Sequence, residues 1–207
     1  NLEELFAFAG EPMEDYFQYQ NVPLSCNYFY ENGKRVSAWT NAEQFANELH
    51  TQLGEDKEAV KDYLRKSEIL YNNIGTIFLN HSLHKSSTWL QKSILKALQT
   101  VRPSHLTGTL HHLNQASFKT AEAIQLFDRF ATYNGSNPYQ TPGMMSLIPH
   151  LELNEGTFYP KGGMISITDA LVKLAAKKGV RIHYNRPVQR IIHHHGAVKG
   201  VVVDDEN

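Results

Sequence analysis

Between residues 40 and 134, apolar side chains return at the spacing of a helix face in four successive segments, and that period predicts a layer of packed helices. In the first, Ala42, Phe45, Ala46, Leu49 and Leu53 form a stripe that runs to Gly54. The preceding Thr40-Asn41-Ala42-Glu43 has the form of a capping box, in which hydroxyl and carboxylate satisfy reciprocal backbone donors. Residues 55–78 carry Val60, Tyr63, Leu64, Leu70, Tyr71 and Ile74 at the same spacing and predict an antiparallel neighbour. Residues 87–100 repeat the pattern through Leu90, Ile94, Leu95 and Leu98 until Pro103 prevents continuation. Residues 119–134 do so with Ile124, Phe127, Phe130 and Ala131, closed by Asn134-Gly135.

The flanks carry strand signals. Residues 25–39 read as a hairpin: Cys26, Tyr28 and Tyr30 share one parity, Asn32-Gly33 supplies the positive φ of a type I′ turn, and Val36 to Trp39 returns. Residues 1–10 predict a short helix, and residues 156–160 a strand. Thr141 is placed to cap a short helix that starts at Pro142 and is limited by Pro149. Residues 166–178 form a helix in which Ser166 and Asp169 have the spacing of a second capping box and Gly179 ends the run. Val180, Ile182 and Tyr184 alternate as a strand, followed by strands at 187–192 and 197–203. The expected fold class is α+β, a helical layer packed on a mixed, largely antiparallel sheet.

Composition excludes several functions. A chain of 207 residues with 41% hydrophobic content buries one sizeable core, and a net charge of −1 gives no electrostatic reason to expect nucleic acid. Cys26 has no partner for an internal disulfide and sits among apolar neighbours, as a structural thiol does. No basic segment followed by an apolar one marks a signal peptide, and no run of about eighteen apolar residues predicts a spanning helix. The closing Asp204-Asp205-Glu206-Asn207 falls where a hairpin turn is expected, so the chain reads as cut there. His81, His84, His111 and His112 have no carboxylate or thiolate at matching spacing, and His193-His194-His195 reads as a solvated turn, so no metal is expected. A Ser/His/Asp triad is unsupported, since Ser166 and Asp169 have a capping role and no nucleophile elbow is present.

Lys161-Gly162-Gly163-Met164 has two readings. Paired glycines make a tight strand-to-helix turn. They also let backbone approach a flat ligand, while the helix that follows offers its first N–H groups.

Residues 127–164, FDRFATYNGSNPYQTPGMMSLIPHLELNEGTFYPKGGM, closely resemble carotenoid desaturases of the bacterial phytoene desaturase type, which belong to the amine-oxidase-like flavoproteins. The resemblance continues through ISITDALVKLAAKKGVRIHYNRPVQRII and GAVKGVVVDD, while residues 1–126 are similar only in organisation. No G-x-G-x-x-G follows a strand, so the phosphate-cradling turn of a Rossmann domain is not in this polypeptide. The chain therefore reads as the middle, substrate-binding piece of a larger flavoenzyme, residues 1–179 forming the substrate domain and residues 180–207 strands that return to an FAD domain.

The resemblance implies FAD as cofactor of the full-length protein, not bound tightly by this piece alone, and a long apolar polyene such as phytoene as substrate of a desaturation or isomerisation. Gly162 and Gly163 lie where the substrate domain of similar proteins meets the flavin, and the position of Val188 typically meets the adenine end through its backbone, with an ordinary strand core residue as the alternative. Phe127, Phe130, Tyr133, Phe158, Tyr159 and Met164 are the candidate lining of a polyene tunnel, with ordinary core packing as the alternative. His150 and Glu152 are the candidate acid or base, with hydrogen bonding that holds residues 148–153 as the alternative.

A bilayer-stored substrate implies an enzyme peripheral to the inner face of the membrane and otherwise cytoplasmic, docked through residues 87–100, where Trp89, Leu90, Ile94 and Leu98 accompany Lys92 and Lys96, with packing of the same stripe on the helical layer as the alternative. The rival readings are a non-catalytic module binding an apolar ligand, and a flavin-dependent oxidase or saturase of another apolar substrate. The sequence leaves the oligomeric state open.

Overall fold

A computed structural model describes residues 2–75, 77, 84, 85, 101 and 103–204. The segment proposed to dock at a membrane, 87–100, lies outside the described residues, as does His81. In chain order the elements are α1 (Leu2–Phe8), β1 (Tyr19–Val22), β2 (Leu24–Phe29), β3 (Arg35–Trp39), α2 (Ala42–Leu53) and α3 (Lys57–Leu70). They continue with α4 (Pro103–Thr107), α5 (Leu110–Ser117), α6 (Ala121–Asp128), α7 (Ile148–Leu153), β4 (Thr157–Pro160), α8 (Ile165–Lys177), β5 (Val188–His194) and β6 (Ala197–Val203). The class is α+β. The strands pair as β1 with β4, β2 with β3 and β5 with β6, so among the described residues three separate two-stranded pairings replace the single mixed sheet expected.

The chain divides into two compact units, residues 20–159 and residues 1–19 with 160–207. In the unit of residues 20–159, β2 and β3 run antiparallel with Tyr28 opposite Val36 and Cys26 opposite Ala38. Val36 and Ala38 are buried with Phe45, Leu49, Tyr63, Phe118, Phe127 and Phe130 in one core, against which Cys26, Tyr28 and Tyr30 pack. Phe118 and Phe127 stack with ring centroids 4.3 Å apart, and Tyr63 tilts against Phe127 at 4.6 Å. The helical period of the sequence is thus realised as an aromatic core between α2, α3, α6 and one face of the hairpin.

Local chemistry corrects several expectations. The type I′ turn expected at Asn32-Gly33 is absent: Gly33 has φ +81° but Asn32 is not left-handed, and its Oδ1 instead accepts from Lys34 N–H at 3.1 Å. Asn41 rather than Thr40 caps α2, accepting from Gln44 N–H at 2.9 Å, because the Thr40 N–H and hydroxyl both turn to the Pro23 carbonyl. α3 ends at Leu70 and passes into a π-helical turn, Tyr71–Gly75. α6 likewise changes at Asp128 into a 3-10 turn, Arg129–Asn134, stopped by left-handed Gly135. Thr141 donates to Asn137 O instead of capping, and Pro149 opens α7 rather than limiting a helix, as suits a residue with no N–H to lose in a first turn.

Glu55, only 1% exposed, is a cap of longer reach. Its carboxylate accepts from the N–H groups of Lys119 and Thr120 and from the Thr120 hydroxyl, at 2.6–3.2 Å. The start of α6 is therefore fixed by a residue in the turn before α3.

In the other unit, Phe6, Phe17, Ala170 and Leu174 are buried together, joining α1 and α8. Glu11 binds both Lys177 and Lys178, whose hydrogen bonds hold its carboxyl down to about 2. Ser166 does not cap α8; its hydroxyl donates back to Gly163 O at 2.7 Å. Residues 180–184, expected as a strand, form none, and Val180, Ile182 and Tyr184 are exposed. The β5–β6 hairpin closes through His195 (φ +49°) and Gly196 (φ +74°), so the paired left-handed residues of a type I′ turn stand here.

Candidate functional site

The densest polar arrangement in the unit of residues 20–159 is built around Glu152 on α7. Its carboxylate accepts from Arg129 Nη2 at 2.7 and 2.8 Å, from the Tyr133 hydroxyl at 2.5 Å and from the Ser25 hydroxyl at 2.7 Å. Three elements, β2, the turn after α6 and α7, thereby converge on one buried anion. The Arg129 guanidinium lies 4.6 Å from the Phe130 ring centroid and within 6 Å of those of Tyr28 and Tyr133.

Burial would raise the Glu152 carboxyl, but the bonds from Arg129, Tyr133 and Ser25 outweigh it and hold it below the ordinary carboxylate range. Burial equally opposes charge on Arg129, and its bonds to Glu152 together with the nearby Tyr28 and Tyr133 reverse that effect and raise it. Tyr28 is pushed up chiefly by burial; its hydroxyl and Arg129 Nε are buried with no hydrogen-bond partner among the described residues. Glu152 is consequently an ionised acceptor with its lone pairs engaged. That is the arrangement of a framework anion, in line with the alternative role of holding residues 148–153.

His150, 5% exposed, donates its backbone N–H to Ser67 Oγ at 3.0 Å. Its Nδ1 lies 3.0 Å from Asn154 Nδ2, its Nε2 3.6 Å from Glu155 Oε1, and its ring packs on Tyr71 at 5.0 Å. Both ring nitrogens therefore face side chains of the two residues that follow α7.

The aromatic candidates separate by burial. Phe127 and Phe130 are wholly buried within the core, Tyr133 is half-exposed with its hydroxyl on Glu152, and Phe158 and Tyr159 on β4 are each 50% exposed. In the other unit, Met164 is 65% and Val188 56% exposed.

Gly162 and Gly163 have φ of +89° and +83°, and a Cβ built on Gly162 would meet only Ser166 Cβ, at 3.7 Å. Left-handed backbone with open space beside it fits the close approach of a flat group such as a flavin. The donors are partly spent: Gly163 N–H bonds Pro160 O, and the N–H groups of Ser166 and Ile167 bond Gly163 O and Met164 O.

A second buried network escaped sequence reasoning. Asp128 receives Asn114 Nδ2 on Oδ1 at 2.8 Å and faces His111 Nδ1 with Oδ2 at 2.6 Å, while the Tyr63 hydroxyl donates to Asn114 Oδ1 at 2.7 Å. The signal for both networks was one dipeptide. Asp128-Arg129 interrupts the aromatic run Phe127 to Phe130, and charges in such a run are buried only when paired. No group of three or more metal-ligating side chains occurs among the described residues, and no helix among them is long and apolar enough to cross a membrane.

The comparisons with known proteins agree with one another. A family model described as flavin containing amine oxidoreductase matches residues 2–207. The chain is 39% identical over 91% of its length to a 1-hydroxycarotenoid 3,4-desaturase of Flavobacterium sp. (strain P99-3), of which it covers 38%. It is 29% identical over 98% of its length to a hydroxyneurosporene desaturase of Rhodobacter capsulatus, of which it covers 41%. To a zeta-carotene-forming phytoene desaturase of Myxococcus xanthus it is 26% identical over 96% of its length, covering 38% of that protein. The chain thus spans about two fifths of the length of the curated relatives it matches. From end to end it belongs to the flavin-containing amine oxidoreductases, with carotenoid desaturases as its homologues.

Proposed function

We propose that this chain is the substrate-binding portion of an FAD-dependent carotenoid desaturase, whose substrate is a long polyene carrying a hydroxyl group. The observation that carries the reading is the family match over residues 2–207 together with 39% identity to a desaturase named for a hydroxylated carotenoid, against 26% to the phytoene desaturase. FAD supplies the oxidation when bound. This chain supplies the backbone of Gly162, Gly163 and Val188 toward the cofactor, and apolar surface from Tyr133, Phe158, Tyr159 and Met164 toward the substrate. Phe127 and Phe130 support that surface from within the core. Residues 180–207 return the chain to the FAD domain, and the exposure of Val188, Ile191, Val198 and Val201 on β5 and β6 is consistent with strands that pack on further protein.

The enzyme works at a membrane surface, because its substrate dissolves in the bilayer rather than in water. Of the two candidates for acid and base, His150 and Glu152, the bond geometry supports a positioning role for Glu152.

The test is product analysis. The full-length protein is supplied, in liposomes, with phytoene and with an acyclic hydroxycarotenoid, and products are separated by absorption spectrum and mass. A loss of two mass units from the hydroxylated chain with a red-shifted spectrum is expected. Unchanged substrates with a fully flavinated protein overturn the desaturase reading, and an added carbonyl oxygen or a gain of two mass units transfers it to an oxidase or a saturase.

A further inference from the structure

His111, at the start of α5, stands apart from His150 in having one ring nitrogen fixed and the other open. Its Nδ1 faces Asp128 Oδ2 at 2.6 Å, its side chain is 19% exposed, and no described residue bonds its Nε2. A carboxylate only accepts, so Nδ1 carries a proton, and in the neutral imidazole the lone pair is left on Nε2.

That tautomer is locked from behind. Asp128 Oδ1 is held by Asn114 Nδ2, and Asn114 by the Tyr63 hydroxyl, with Asn114 wholly buried and Tyr63 5% exposed in the aromatic core. The backbone is pinned as well, since His111 N–H donates to Pro138 O at 3.1 Å. The ring cannot turn over without breaking a buried chain of bonds. Beside it, the ring of Tyr139 lies 4.3 Å away and is 62% exposed, an apolar flank next to a single polar acceptor.

We propose that His111 Nε2 is the acceptor for the hydroxyl group at the end of the polyene, with Tyr139 as the surface on which the adjoining carbons rest and Asp128 as the positioning residue that makes Nε2 an acceptor. This rests on the reading of the enzyme as a carotenoid desaturase and names the group that selects hydroxylated chains. The chemistry is directional. An acceptor takes an O–H donor and gives nothing to a methyl ether or a ketone, which have only lone pairs to offer.

The experiment uses the full-length, FAD-loaded protein. Three acyclic carotenoids of one chain length, bearing a terminal hydroxyl, its methyl ether or neither, are presented in detergent micelles, and binding is read from the shift of the carotenoid's visible bands. Wild-type protein is expected to bind the alcohol about tenfold more tightly than either other chain, the worth of one well-placed hydrogen bond. In His111→Leu that ratio collapses to about one. In Asp128→Asn the amide oxygen stays on Asn114 and the NH₂ faces Nδ1, so the proton moves to Nε2 and the ether gains on the alcohol. Melting temperature and flavin content establish that each variant is folded.

A folded His111→Leu that keeps the tenfold preference overturns the proposal. Should the variants not fold, equal binding of alcohol and ether by the wild type overturns it without them. If the wild type binds none of the three chains, it is the desaturase reading that fails and the proposal falls with it.

Discussion

Glu152 decides what the residues around it can be replaced by. Glu152→Gln leaves Arg129 buried with one acceptor oxygen and an amide that repels it, and should cost about 3 kcal/mol of unfolding free energy, read from urea denaturation. Because the folded carboxyl is held below its unfolded value, the contribution is fully present above about pH 4.3 and is lost as pH falls through the folded value. Stability should therefore fall on acidification below about pH 4 more steeply in the wild type than in Glu152→Gln. Two tyrosines beside the pair should separate cleanly. Tyr133 donates to the anion, so Tyr133→Phe should lose about 2 kcal/mol. The Tyr28 hydroxyl has no hydrogen-bond partner among the described residues, so Tyr28→Phe should stay within about 0.5 kcal/mol of wild type. His150 and Glu152 were legible as a polar pair in an apolar turn. That Glu152 is bonded by Ser25, 127 residues away, was not, because such a partner is set by tertiary packing that no local period encodes.

At the scale of elements, periodicity was, among the described residues, a good guide to which segments are helical and a poor one to how they begin and end. The stripe of α2 was legible from Ala42 to Leu53, whereas its cap depended on a competition between two side-by-side residues, which the Pro23 carbonyl settles by engaging Thr40. Asn41→Ala should accordingly lower stability by about 1 kcal/mol and Thr40→Ala by less than about 0.5, in parallel thermal melts. The same kind of competition explains the hairpins. Asn32-Gly33 looks like a type I′ turn, yet the bonds from Asn32 and Lys34 to Glu122 at the start of α6, both 2.6 Å, draw the tip toward the helical layer. His195-Gly196, with no comparable anchor among the described residues, takes the primed geometry instead. Val180 to Tyr184 had the alternation of a strand, but alternation becomes a strand only against a partner, and none pairs with it among the described residues.

For the whole molecule, α+β character was legible and the partition of the strands was not, since register and sheet membership depend on neighbours far away in sequence. The family was legible from residues 127–164, where Pro and Gly punctuate the apolar run in an order that resembles it. We expect the 207-residue chain by itself to show no yellow complex when titrated with micromolar FAD, because its glycine turn offers close approach but no nucleotide-cradling loop. The full-length protein should bind one equivalent. A stoichiometric complex with the short chain would mean that the cofactor is held mainly by residues 160–207.

Residues 1–19 and 160–207 form one unit although 140 positions separate them, and within it Lys161 N–H reaches Gln18 O at 2.8 Å. Where the chain leaves this unit and where it comes back are thus a single hydrogen bond apart. Residues 20–159 are in effect a cassette inserted into the sequence of a host, joined by two adjacent stems. A short turn between Gln18 and Lys161 should close the host without the cassette, and a cassette from a relative with another substrate should graft between the same two residues. Evolution faces the same opportunity as the engineer: residues 20–159 can be exchanged at those stems while the unit that carries the glycine turn is kept.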